Sequence, residues 1–174
     1  MDDLEDLVAL DSDPEVLRHI NGGTPIPRRR TENETLPRFL WYHARGPDAG
    51  FYAAIEKSSG RFLGWFHLRP DPDEPRPDET ELGYRLRRDA WGNGFATEGS
   101  RALVRKAFTE LGMRRVVAWT MVVNMRSRAV MEKCGMRLVK TVFRQWPDAF
   151  AGTELGDVEY AIDREEWERV SSAS

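Results

Sequence analysis

The chain has 174 residues, with 26 Lys and Arg against 29 Asp and Glu and a formal net charge of −3 at pH 7. Those charges are mixed along the sequence, which argues against the basic face that non-specific nucleic-acid binding needs. No apolar run reaches the length that a membrane span requires. The length suits one domain, residues 1–174, with a sizeable core. A single cysteine, Cys134, and an acidic start (Met1-Asp2-Asp3-Leu4-Glu5-Asp6) in place of a basic, apolar leader point to the cytoplasm.

Residues 2–10 carry Leu4, Leu7 and Val8 at helical spacing. Asp13 as N-cap and Pro14 at the first helical position open a second short helix, with Val16, Leu17 and Ile20 inward. Asn21-Gly22-Gly23 ends it, and Thr24-Pro25-Ile26-Pro27 reads as extended loop. Thr31 and Glu34 have the form of a capping box, but a helix from Thr31 would enclose Pro37 at a cost of about 3 kcal/mol. Thr35 as N-cap puts Pro37 in the first turn, and that later start is preferred. Residues 51–57 and 61–69 are strands joined by a hairpin at Ser58-Ser59-Gly60. Residues 70–79 hold Pro70, Pro72, Pro75 and Pro77 among five acidic residues, an exposed connector.

Residues 80–86 place Leu82, Tyr84 and Leu86 on one face at strand period. The loop Trp91-Gly92-Asn93-Gly94-Phe95-Ala96-Thr97 follows, then a helix with Leu103, Val104, Ala107, Phe108 and Leu111 along one side. Gly112 stands as its C-terminal glycine, and residues 115–123, dense in Val, Trp and Thr, form the next strand. Strand, glycine loop, helix, strand is a βαβ unit with parallel strands. Two glycines one residue apart let the backbone turn tightly and approach a ligand. At a helix N-terminus such a loop offers unpaired N–H groups to phosphate. The spacing fits neither the nucleotide-triphosphate loop, which needs a Gly-Lys pair, nor the dinucleotide fingerprint, whose third small residue would fall at Thr97. A helix over 127–133 follows, with Val130, Met131 and Cys134 inward and Gly135 as cap. Strands over 138–146 and 158–162 flank a loop at 147–156, and Asp163 starts a short terminal helix.

Three separated motifs in this stretch resemble the GNAT superfamily of acyl-CoA-dependent N-acyltransferases, in the branch similar to the ribosomal-protein serine/alanine acetyltransferases. They are Glu81-Leu82-Gly83-Tyr84, then Trp91-Gly92-Asn93-Gly94-Phe95-Ala96-Thr97-Glu98, then Asn124-Met125-Arg126-Ser127 leading to Glu132-Lys133-Cys134-Gly135-Met136. The resemblance is tight over residues 60–163. It implies an α+β fold, a mixed, mostly antiparallel, splayed sheet flanked by helices. It implies transfer of an acetyl or longer acyl group from acetyl-CoA to a primary amine by direct attack, with no covalent enzyme intermediate and no metal. The acceptor would be a small molecule or a peptide, neither nucleic acid nor membrane would be a partner, and a homodimer is compatible with the reading. The family opens with a strand before its first helix; here that strand is either absent or encoded upstream.

The resemblance also assigns roles. Gly92, Asn93, Gly94, Phe95, Ala96 and Thr97 would present backbone N–H groups to the pyrophosphate, and Leu86 would pair its main chain with the pantetheine arm. Many members carry Gln or Arg three residues before the first glycine; here Asp89 stands there, and Arg87 with Arg88 would supply the charge. Asn124, with both amide donor and acceptor, would bind the pantetheine amides. Ser127 would face the thioester sulfur as a proton or hydrogen-bond donor, because Met131 occupies the place of the tyrosine acid that many members have. Helix capping is the competing role for Ser127. Glu81 is the candidate base, acting through water, and Glu79 is the alternative. A non-catalytic acyl-CoA-binding or regulatory module stays open beside the enzyme. His19, His43 and His67 lack metal-ligand spacing, and Arg28-Arg29-Arg30 and Arg114-Arg115 read as solvated surface.

Overall fold

The computed structural model describes residues 3–46, 50–71 and 75–172. Met1-Asp2 of the acidic start and Pro72 of the connector therefore lie outside the described residues. Six strands form one mixed sheet in the order β1-β2-β3-β4-β6-β5, flanked by helices. The residues divide into two compact units, Met1–His67 with Tyr84–Ala96, and Leu68–Gly83 with Thr97–Ser174.

In the first unit, α1 (Asp3–Asp11) buries Leu7 and Leu10. The cap signals read for α2 (Pro14–Asn21) are realised: the Asp13 carboxylate accepts from the Glu15 N–H at 2.9 Å, and Gly22 leaves the helix at φ 75°. Val16 and Leu17 are buried as expected, but Ile20, expected inward, is exposed, because His19 (φ −100°, ψ 16°) breaks the helical register just before it. The expected start at Thr35 is not realised. Thr35 is helical (φ −71°, ψ −55°) and its side chain caps nothing. The chain instead runs through α3 (Arg28–Arg30), a π turn (Thr31–Thr35) and α4 (Leu36–His43). The widened turn is the physical reason: the Leu36 N–H reaches back to the Thr31 carbonyl, so the register has already shifted where Pro37 lacks its donor. Strands β1 (Gly50–Ile55) and β2 (Phe62–Arg69) flank the expected hairpin turn, closed by the Gly60 N–H on the Glu56 carbonyl at 2.8 Å. Leu7, Leu10, Val16 and Phe62 make the core here, with Leu36, Phe39, Trp65 and Trp91 packed around them. A buried ion pair, Asp11 with Arg85, crosses this core beneath the Trp65 ring.

The second unit holds the start of β3 (Glu79–Leu86), most of α5 (Phe95–Thr109), then β4 (Arg115–Met121), α6 (Met125–Lys133), β5 (Arg137–Val142), β6 (Asp157–Asp163) and α7 (Arg164–Ser172). β3 and β4 pair in parallel, Glu79 with Arg115 and Glu81 with Val117, as the βαβ reading requires. β4 and β5 both pair antiparallel with β6. Val104, Ala107 and Phe108 of α5 are buried, as the helical pattern foretold. The Phe108 carbonyl near its end accepts from Arg164 Nη2 at 2.6 Å. β5 stops at Val142, short of the expected residue 146, and all but its last residue are exposed, so the pattern of residues 143–146 belongs to the following loop.

Candidate active site

The glycine loop begins where β3 ends. The Leu86 carbonyl accepts from the Trp91 indole at 2.9 Å, and the Arg87 N–H donates to the Leu63 carbonyl at 2.8 Å. A helical turn, Arg88–Ala90, then carries the chain to Gly92 (φ 78°) and Gly94 (φ 84°). A Cβ at either glycine would meet nothing within 4 Å, so it is the left-handed backbone, not crowding, that calls for glycine. The Asn93 amide donates back to the Trp91 carbonyl at 3.2 Å and braces the loop. Phe95 and Ala96 open α5, so their N–H groups sit at the positive end of a 15-residue helix. Asp89 is neutralised by residues on both sides, Arg61 at 2.7 Å and Arg87 at 3.4 Å. Sequence reasoning missed Arg61, which lies 28 positions away and carries no motif.

It also missed Gly64. This glycine of β2 sits at φ 139°, and a Cβ there would overlap the Arg85 carbonyl and lie 2.8 Å from Leu86 Cα. Its only signal in the sequence is a glycine inside an otherwise apolar strand, the mark of close backbone approach.

In the second unit, Asn124 (φ −82°, ψ 69°) is the N-cap of α6. Its Oδ1 accepts from the Ser127 N–H at 3.2 Å and its Nδ2 donates to Thr120 Oγ1 at 3.0 Å. The Asn-x-x-Ser spacing is thus a cap and its third residue, and the capping falls to Asn124 rather than Ser127. One amide hydrogen and one lone pair of Asn124 remain for a ligand. Ser127 is half-buried in the first turn of α6. Arg128 holds that turn, donating to the Val122 carbonyl at 3.1 Å and to the Tyr160 hydroxyl at 3.2 Å. Met131 is buried and has no proton to give. Thr97 offers its carbonyl to Cys134 Sγ at 3.9 Å. Burial pushes the Cys134 thiol up to about 11, so it stays protonated at neutral pH and serves as core, not nucleophile.

Glu81 is held by Arg69, with Nη2 to Oε2 at 2.9 Å and both side chains mostly buried. Glu79 lies two residues earlier on the same strand face, between Arg115 at 3.3 Å and Arg76 at 3.6 Å. Burial pushes its carboxyl above the usual carboxylate range, against the opposing pull of those two arginines. That direction suits a general base near neutrality. Of the expected site residues, Leu86, Arg87 and residues 92–96 belong to the first unit, and Glu81, Thr97, Asn124 and Ser127 to the second. Among the described residues, no group of three or more His, Cys, Asp or Glu could hold a metal ion. No described helix is long and apolar enough to cross a membrane.

A mixed six-stranded sheet with a glycine loop opening its longest helix defines an acyl-CoA-dependent transferase fold. The family model of the acetyltransferase (GNAT) domain matches residues 1–137, and the chain belongs to that family. It is 40% identical over 171 residues to the FsC-acetyl coenzyme A-N(2)-transacetylase of Aspergillus fumigatus, covering 95% of this chain and 71% of that protein. Two solved structures share the fold. The GNAT-family acetyltransferase from Bacillus anthracis has a TM-score of 0.74 at 23% identity, covering 94% of this chain and 90% of that one. The spermidine N-acetyltransferase from Vibrio cholerae, solved with CoA and spermine, has a TM-score of 0.75 at 14% identity, covering 95% and 92%. The chain is an acyl-CoA-dependent N-acetyltransferase, with acetyl-CoA as co-substrate and an amine as acceptor.

Proposed function

We propose that this enzyme acetylates the amino group of a small, non-polymeric acceptor, by direct attack on the thioester. The Aspergillus relative, named for acetyl transfer from acetyl coenzyme A to an N(2) nitrogen, supports a nitrogen acceptor. The amine nitrogen forms a bond to the acyl carbon, the carbon–sulfur bond breaks, the thiolate takes up one proton and the nitrogen releases another. Three aids are needed: an amine without its extra proton, a polarised carbonyl and a donor for the sulfur. Glu81 removes the ammonium proton through water, with Glu79 as its alternative. Ser127 donates to the sulfur. Gly92, Asn93, Gly94, Phe95, Ala96 and Thr97 hold the pyrophosphate, Leu86 and Asn124 the pantetheine arm, and Arg87 adds positive charge.

The observation that carries this reading is the pair of left-handed glycines with open space at both Cβ positions, feeding straight into α5. All 174 residues act as one acyltransferase domain in this proposal; β2 and β3 each run through both compact units. A free, buried Cys134 and the use of acetyl-CoA support the cytoplasm as its location. A homodimer would use the exposed edge strand β5, where Leu138 and Val139 are about half exposed. Calorimetry with CoA tests the core of the proposal: the wild type should bind at micromolar levels. Gly94→Asp should lose about 100-fold in affinity, because it sets a carboxylate where phosphate is expected, while its circular dichroism stays native. Unchanged affinity in that variant would make the loop an ordinary turn.

A further inference from the structure

Tyr160, 1% exposed, lies on β6 opposite Ala118 of β4, and Thr120 stands opposite Val158 on the same two strands. The strand period puts all four residues on one sheet face. Both polar members of that face reach α6. Thr120 Oγ1 accepts from Asn124 Nδ2 at 3.0 Å. The Tyr160 hydroxyl donates to Glu132 Oε1 at 2.8 Å and accepts from Arg128 Nε at 3.2 Å. Arg128 in turn donates through Nη1 to the Val122 carbonyl at 3.1 Å, so one buried hydroxyl is wired to the segment that leads into Asn124.

Arg128 and Glu132 are one helical turn apart and share one side of α6. Ser127 and Met131 each stand one residue earlier, about 100° round the helix axis. Whatever fixes the first pair therefore fixes where the second pair points. The far end of α6 is tied separately: Arg101 of α5 donates to the Lys133 carbonyl through Nη2 at 2.7 Å and Nε at 3.1 Å. With that end held, the Tyr160 hydroxyl sets the rotation of the first turns. Packing alone does not ask for this hydroxyl, because phenylalanine fills nearly the same volume and apolar burial is non-directional. Hydrogen bonds are directional, and two of them to groups one turn apart specify an angle.

We infer that Tyr160 is a positioning residue for acetyl transfer: through Arg128 and Glu132 it aims the turn of α6 that carries Asn124 and Ser127. This rests on the roles proposed above for those two residues, toward the pantetheine arm and the thioester sulfur. Tyr160 itself is enclosed and acts only through α6. The pyrophosphate is assigned to other residues, so the two halves of the cofactor should respond differently when the hydroxyl is removed. A small misplacement of the thioester matters more for turnover than for binding, because attack needs the reacting atoms aligned.

The test is calorimetry with CoA and with 3′-phospho-ADP, the half of CoA that has the pyrophosphate but no pantetheine. The wild type should bind CoA roughly tenfold more tightly than that half, or better. Tyr160→Phe should weaken CoA about tenfold while 3′-phospho-ADP stays within about twofold. Its kcat at saturating acetyl-CoA should fall about 10–100-fold, with KM for the amine little changed. Equal losses for the two ligands mark a purely structural tyrosine, and no loss marks an idle hydroxyl; either result overturns the inference. CoA that binds the wild type no better than its half refutes the role of Asn124, and the inference falls with it. Should Tyr160→Phe fail to fold, Glu132→Ala, at an exposed position, removes the hydroxyl's acceptor, and the same two titrations decide. Glu132→Gln keeps an acceptor oxygen and should regain most of the CoA affinity that Glu132→Ala loses. No recovery there overturns the inference as well.

Discussion

Gly64→Ala asks whether the close approach of β2 to the end of β3 is as tight as the structure makes it. The new methyl would overlap the Arg85 carbonyl oxygen and lie 2.8 Å from Leu86 Cα and 3.0 Å from the Arg85 carbonyl carbon. All three are main-chain atoms, so no rotamer change relieves the contact. Overpacking of this kind costs about 1–3 kcal/mol, and a side chain at φ 139° adds about 1–2 kcal/mol. The sum, about 2–5 kcal/mol, is a substantial share of the roughly 5–15 kcal/mol that holds a domain together. At roughly 2–4 °C per kcal/mol for a chain of this size, Tm should fall by about 4–20 °C. Gly94→Ala is the control, since its methyl meets open space and only the backbone strain of about 1 kcal/mol remains. Differential scanning calorimetry of both variants reads the difference. CoA titration should show a further loss in Gly64→Ala, because the atoms displaced belong to Leu86 and its neighbour. A Gly64→Ala protein that melts no lower than Gly94→Ala would refute the packing argument.

Glu81→Gln should lower kcat by about 10²–10⁴-fold with acetyl-CoA affinity nearly intact, and should recover in part at high pH, where solvent supplies free amine. An unchanged rate below pH 8 would pass the base role to Glu79 or to no residue. Glu79 itself has a raised folded-state pKa, so the native protein holds its proton more tightly than the unfolded chain. Its contribution to stability is present below the ordinary carboxylate pKa and is lost as pH rises through the raised one. In urea titrations, Glu79→Gln should therefore gain on the wild type as pH rises across that window; a difference that stays flat with pH would show that burial does not govern this carboxyl.

Elements with strong local signals were legible in the sequence. The capped helix α2, the hairpin at Gly60 and the βαβ unit rest on Asp13, Pro14, the glycines and a clear apolar period, all of them local. The start of the helix before α4 was misplaced because the rule against interior proline assumes an unbroken α-helical register. A π turn at Thr31–Thr35 suspends that assumption, and nothing in single-residue propensity announces it. The motif residues of the loop were legible, but their partners were not. Arg61 meets Asp89 and Arg69 meets Glu81 across strand neighbours, and such pairings depend on register, which one sequence does not display. Asn124 was read for its amide groups, and the structure adds that half of their capacity is already engaged, one bond capping α6 and one reaching Thr120 of β4.

Asp89 shows why a departure from a motif has to be weighed with its surroundings. A lone carboxylate some 6 Å from a phosphate charge would cost about 3 kcal/mol at an effective dielectric of about 20, enough to weaken cofactor binding about 100-fold. The residue is not alone. Arg61 and Arg87 both reach it, and Arg61 also touches Glu56 at 3.6 Å, while Arg88 stands next in the chain. Asp89 is thus a paired carboxylate, its charge offset by the two guanidiniums that reach it. In this chain the carboxylate fixes Arg61 and Arg87 in place, and in the proposed cofactor site those arginines would supply the charge that the family's usual Gln or Arg would otherwise bring.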